Sequence, residues 1–213
     1  MYDKLINYLS KERLKPYLEF TNYNKEEALF LYNLNIKISE NFHTPLDYFE
    51  IIFRNSINII LQKYYGKEWY FNNFLLDKQS IIIEELINKL ELENKEINNA
   101  NIVSNVSFGF WTSFFSGYYE NKLKFLYSNI FNGKLNRDQI FKKIIKIKNL
   151  RNRIAHRENI IKYYFMNDFG TIMQLISFID KDISIYINNN TNLKQIFESN
   201  KDILMKYANY NNR

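Results

Sequence analysis

Residues 136–156, NRDQIFKKIIKIKNLRNRIAH, carry the pattern on which the fold class rests. Ile140, Ile144, Ile147 and Ile154 stand at i, i+4, i+7 and i+14, so they form one stripe of a helix with 3.6 residues per turn. Lys142, Lys146, Asn149, Arg153 and Arg157 fall on a different, polar face. The i+11 member of the stripe is Arg151, a guanidinium where the pattern calls for a hydrophobe. On either side of this segment the same period recurs almost throughout. It predicts helices over 2–15, 24–41, 45–65, 77–93, 100–117, 119–131, 136–156, 168–187 and 192–208. Thr44-Pro45 reads as an N-cap followed by proline at the first helical position. Asp168 reads as the cap of a helix beginning near Gly170, and Thr191 or Asn192 as the cap of the last one. Five Gly and two Pro are too few for the tight turns of a many-stranded β protein. The expectation is an all-α helical bundle with additional N-terminal helices, in a single domain over 1–213. It divides into an N-terminal helical extension (1–41), a core (45–187) and a C-terminal helix (192–208).

Bulk composition narrows the function classes. A hydrophobic share of 46% is too high for a disordered chain and enough for one substantial core. The absence of Cys excludes disulfides and thiolate-bound zinc, and suits a reducing cytoplasm. No run approaches the ~18 apolar residues of a membrane span. The N-terminus is amphipathic without an apolar signal core, so a soluble, cytoplasmic protein with no membrane partner is expected. Charge is uneven. Nine Lys and Arg between Lys134 and Arg157 are opposed only by Asp138, a larger excess than the +6 of the whole chain. A solvated helix face and a polyanionic partner both account for such a run.

A second charge interrupts an apolar stripe. Leu46, Phe53, Ile57, Ile60 and Tyr64 share a face with Glu50. An unpaired charge facing a core costs several kcal/mol, so Glu50 and Arg151 are expected to lie together or to share a polar pocket. A purely structural ion pair is the other reading. Arg54 and Asn55 follow Glu50 and are candidates for the pocket or for a ligand, with a plain helix-surface pair as the alternative. Of the two histidines, His43 precedes the expected Thr-Pro cap in a loop and is given no role. His156 shares a face with Asn152, while Arg151 stands about 140° away in regular helix geometry. Both can serve one site if the helix ends near His156, or if a second copy supplies the other set. Trp69, Trp111, Phe108 and Phe110 are read as core, and Gly109 as a point of close helix packing.

Several blocks resemble, in order, the AbiF-type abortive-infection (Abi-like) proteins of the HEPN superfamily. Residues 9–14 and 29–35 look like the family's amino-terminal signature. Phe49 to Ile57 resembles its Leu-Glu-x3-Arg-Asn-Ala-Ile helix, followed by Tyr65-Gly66 and Trp69-Tyr70. Ser107-Phe108-Gly109-Phe110-Trp111 resembles its Ser-Phe-Gly-Phe-Trp segment. Leu150 to Glu158 is similar to Leu-Arg-Asn-Arg-Ile-Ala-His-His-Glu, with an Arg-x4-His motif at Arg151 and His156 and with Arg157 where a second His is common. Phe49 and Ser56 replace Leu and Ala. The likeness covers about residues 9–160.

That resemblance implies a HEPN-like bundle and an endoribonuclease of phage defence, with a small structured non-coding RNA as a further partner. It also implies a homodimer in which two copies of the motif face each other. The residue chemistry suits the reaction. RNA supplies its own 2′-OH nucleophile, and an imidazole exchanges a proton near neutral pH, so His156 fits a general acid or base. Arg151 offers a planar fork of donors to phosphate oxygens. Asn152 orients the imidazole or donates to the phosphate, and Glu50 holds Arg151. Lys142, Lys146, Arg153 and Arg157 are the candidate backbone contacts. No metal or other cofactor is expected. A non-catalytic RNA-binding module that forms a ribonucleoprotein with a small RNA is the competing reading.

Overall fold

The computed structural model describes residues 2–212, and among them every regular element is helical. Helix α1 (Tyr2–Leu9) and helix α2 (Lys11–Phe20) meet at Ser10. The Ser10 hydroxyl accepts the Arg13 N–H at 3.3 Å, and its own φ of 71° turns the chain. The single helix expected over 2–15 is therefore two.

Helix α3 (Lys25–Tyr65) is the spine. Asn24 caps it by accepting from Glu26 N–H and Glu27 N–H, and Glu26 and Glu27 favour the positive end of its dipole. Gly66, with φ of 83°, ends it. At 1.5 Å per residue, its length is about 60 Å. The sequence reading placed a break at Thr44-Pro45, and the 41–45 boundary between extension and core with it. The helix instead runs straight through.

The physical reason lies on both sides of the proline. Pro45 lacks the N–H that would bond the Asn41 carbonyl, and the Thr191 hydroxyl donates to that carbonyl at 3.3 Å instead. The same hydroxyl accepts the Leu193 N–H at 3.4 Å, while the cap position of the helix that follows is Asn192, whose own side chain makes no cap hydrogen bond. Phe42, Leu46 and Phe49 are buried around the proline and anchor both halves to the core.

Beyond a 3-10 turn at Trp69–Phe71 come α4 (Asp77–Leu92), α5 (Asn99–Asn105), α6 (Phe108–Ser113), a 3-10 turn at Gly117–Tyr119, and α7 (Lys124–Ile130). The chain continues through α8 (Arg137–Ala155), α9 (Phe165–Ile179), α10 (Lys181–Asn189), α11 (Leu193–Ser199) and α12 (Lys201–Asn211). Four expected helices are shorter than their apolar period, and at two of the breaks local capping competes with propagation. Ser107 accepts the Phe110 N–H and separates α5 from α6. Asp180 accepts from Asp182 N–H and Ile183 N–H and separates α9 from α10. The last helix divides at Asn200, and the one expected from 119 begins only at Lys124.

Helices α2, α6, α7, α9, α10 and α11 all pack on α3. Its buried line, Leu31, Ile38, Phe42, Phe49, Phe53, Ile57 and Leu61, is the centre of the core. Phe53 meets Phe108, Phe115 and Phe131, while Trp69 meets Trp111, Phe110 and Phe114. The four aromatics read as core, Trp69, Trp111, Phe108 and Phe110, are buried. Each such ring contributes roughly 2–3 kcal/mol by leaving water. No helix among the described residues is long and apolar enough to cross a membrane.

Candidate functional site

The site is built at the C-terminal end of α8. Its start is fixed by a capping box: Asn136 accepts the Gln139 N–H at 2.9 Å, and the Gln139 side chain accepts the Asn136 N–H at 3.1 Å. Ile140, Ile144, Ile147, Leu150 and Ile154 are buried, and Leu150 was missing from the expected stripe. Including it shows why Arg151 is not core-facing. Over the last turns the buried set is 147, 150 and 154, so the apolar face has rotated by about 50° at 100° per residue. Arg151 is left half exposed.

The helix ends in a Schellman arrangement. His156 is the cap, Arg157 N–H donates to Ile154 O at 2.9 Å, and Glu158 N–H donates to Arg153 O at 2.8 Å. Arg157 takes the left-handed position with φ of 55°, where glycine is the usual residue.

The segment just past the cap is clamped to the spine. Asn35, only 4% exposed, donates to Glu158 O at 3.2 Å and accepts from Ile160 N–H at 2.8 Å and Ile161 N–H at 3.3 Å. Arg13 of α2 donates to Arg157 O, and Asn159 donates to the Tyr207 hydroxyl of α12 at 2.6 Å. The end of the motif helix is thus tied to three other elements. Because 35 pairs with 158 and 50 with 151, α8 runs antiparallel to α3 here.

Glu50 and Arg151 do lie together, with Arg151 Nε 3.8 Å from Glu50 Oε2. Their side chains are 30% and 50% exposed, so the expected burial of both is corrected. Screening by water leaves such a pair at about 0–1 kcal/mol. It orients the guanidinium more than it stabilises the fold. Arg54 lies one turn further on the Glu50 face, half-buried, with its Nε enclosed and without a partner among the described residues. Asn55 is exposed on another face.

Asn152 is half-buried and His156 exposed, and neither side chain has a hydrogen-bond partner among the described residues. Among the described residues no hydrogen bond or ion pair joins Arg151 to His156; the ion-pair partner of Arg151 is Glu50. The candidate phosphate contacts divide in two. Lys142 and Arg157 are exposed and unpaired among the described residues. Lys146 pairs with Asp168 at 2.9 Å, and the Arg153 guanidinium lies 4.3 Å over the Tyr163 ring. Asp168 is not a cap. It is buried in the first turn of α9, and Lys146 is what neutralises it.

Two residues beside the motif escaped the sequence reading. His43 is not in a loop, because α3 continues through it. With Glu40 it lines a cavity of about 490 Å³, whose other wall is Ile154, Ala155 and Arg157. The signal that hid them was Pro45, which reads as a helix start. Among the described residues no cluster of three His, Asp or Glu stands ready for a metal ion. No family model, no curated protein and no solved structure matches the chain.

Proposed function

We propose that the protein is an RNA-binding endoribonuclease of the kind its resemblance to AbiF-type HEPN proteins implies. The observation that carries this reading is the placement of Arg151 and His156. Both stand open to solvent near the C-terminal end of one strongly basic helix, the first braced by Glu50 and the second at the locked cap.

The chemistry runs as a proton relay with in-line displacement. An imidazole removes the 2′-OH proton, the 2′ oxygen attacks phosphorus, and the P–O5′ bond breaks. A protonated imidazole returns a proton to the departing oxygen. The products are a 2′,3′-cyclic phosphate and a 5′-OH. Arg151 stabilises the extra negative charge on the phosphorane. Since Arg151 and His156 diverge by about 140° within one copy, two motifs facing each other across a homodimer complete the site in this reading. A small structured RNA bound to the same basic surface restrains the enzyme, and the setting is the bacterial cytoplasm.

The test is labelled RNA incubated in EDTA with the unmodified protein, His156→Ala and Arg151→Ala. Cleavage should fall by about 100-fold or more in His156→Ala while RNA binding persists. Undiminished cleavage in that variant refutes the assignment. Binding without cleavage by every form assigns the protein to the non-catalytic RNA-binding class instead.

A further inference from the structure

One face of α8 lies beside its buried stripe and away from Arg151, with Phe141 partly packed against the core and the rest open to a groove. Phe141, Ile145, Lys148 and Asn152 stand at i, i+4, i+7 and i+11, and all four are half-buried. The cap residue His156 comes one more turn along on this side. Opposite the first three lie α4 and α6, and between them opens a groove of about 370 Å³. It includes Ser107 and Gly109, from the segment singled out in the sequence, where Gly109 was read only as a point of close helix packing.

The lining alternates in character. Ile82, Phe141 and Ile145 give it an apolar side. Lys78 and Lys148 are its only ionised residues, and neither has an ion pair or hydrogen bond among the described residues. Among the described residues no carboxylate lines the groove. A Cβ at Gly109 would sit 3.6 Å from Lys148 Nζ, so the glycine leaves that amine uncovered.

The walls are preorganised. Buried Gln79 of α4 donates to Ser113 Oγ of α6 at 3.2 Å and accepts the Tyr119 hydroxyl at 3.0 Å. Ser113 donates onward to Phe110 O at 2.6 Å. The Ser107 and Ser116 hydroxyls keep their protons for a ligand, since neither donates to an acceptor among the described residues.

We propose that this groove is a nucleotide subsite, holding single-stranded RNA next to the linkage presented to Asn152 and His156. A base stacks on Phe141, and the flanking phosphates meet Lys78 and Lys148. The inference rests on the RNA reading above and adds where the strand runs. A single strand is the occupant that fits, because it alternates planar apolar rings with anionic groups as the groove alternates apolar and cationic residues. Its unpaired bases are free to stack on an aromatic ring.

The experiment uses the full chain carrying His156→Ala, so that RNA survives, and a short fluorescent single-stranded RNA titrated at several salt concentrations. Adding Lys78→Ala and Lys148→Ala should weaken binding roughly tenfold and reduce the slope of log affinity against log salt by about one to two. Lys194→Ala with Lys206→Ala, on exposed positions of α11 and α12, should leave both unchanged. A 4-thiouridine RNA should crosslink to the peptide containing Phe141. Equal thermal midpoints of all variants confirm that the comparison is between folded proteins. RNA binding unaffected by the Lys78 and Lys148 changes overturns the groove while leaving the nuclease reading intact. Absence of RNA binding by the parent protein overturns both. Loss of poly-glutamate binding without loss of RNA binding assigns the groove to an acidic protein and overturns the proposal.

Discussion

Asn35 shows how one buried amide positions the candidate site. It sits on the spine among apolar neighbours, and its side chain serves two backbone N–H groups and one carbonyl just beyond His156. Replacing it by alanine leaves those groups enclosed without partners, at a cost of about 3 kcal/mol. Asn35→Ala should therefore lower the thermal unfolding midpoint by several degrees. Under the ribonuclease proposal it should also reduce RNA cleavage, because the cap holding His156 loses its anchor. A midpoint equal to that of the parent would show that the loop finds other partners. Arg157 next to it carries a backbone cost of its own, in a left-handed position that glycine would occupy freely. Its carbonyl accepts from Arg13, which helps to fix that conformation.

At the scale of elements, the continuity of α3 depends on a hydroxyl far away in sequence. Thr191 supplies the hydrogen bond that Pro45 withholds from Asn41 O. Thr191→Val removes it with little change of shape and should cost about 1–2 kcal/mol. In a Pro45→Ala background the alanine N–H reaches the same carbonyl. The cost of Thr191→Val should then shrink by about 0.5 kcal/mol or more, a coupling that a double-mutant cycle by chemical denaturation measures directly. Additive effects would mean that the hydroxyl acts only through its bond to the Leu193 N–H. Helix α8 makes a complementary point. Its capping box and Schellman end are local, whereas the rotation of its buried face, which exposes Arg151, depends on Leu150 finding the core.

For the whole molecule, the core encloses several tyrosines, Tyr17, Tyr119, Tyr127 and Tyr207 among them. Burial pushes Tyr207 and Tyr127 up to about 12 and Tyr17 higher still. In the unfolded chain these groups ionise near 10. Between about 10 and 12 the unfolded state has lost protons that the folded state keeps, so stability is intact below that window and falls as pH rises through it. Thermal midpoints measured across it should decline, and Tyr207→Phe should make the decline shallower. A parent midpoint that stays level would contradict the burial. Much of the architecture was legible in the sequence: the all-helical class, the aromatic core, the extent of α8 and the pairing of Glu50 with Arg151. Each stems from periodicity or from a charge interrupting it, and both are properties of neighbours along a helix. Tertiary structure alone decided that α3 passes through Pro45, that His43 faces a cavity, that Lys146 belongs to Asp168, and that a groove lies between Lys78 and Lys148. Those outcomes depend on partners many residues away, and a helical period records which way a side chain faces without recording what it meets.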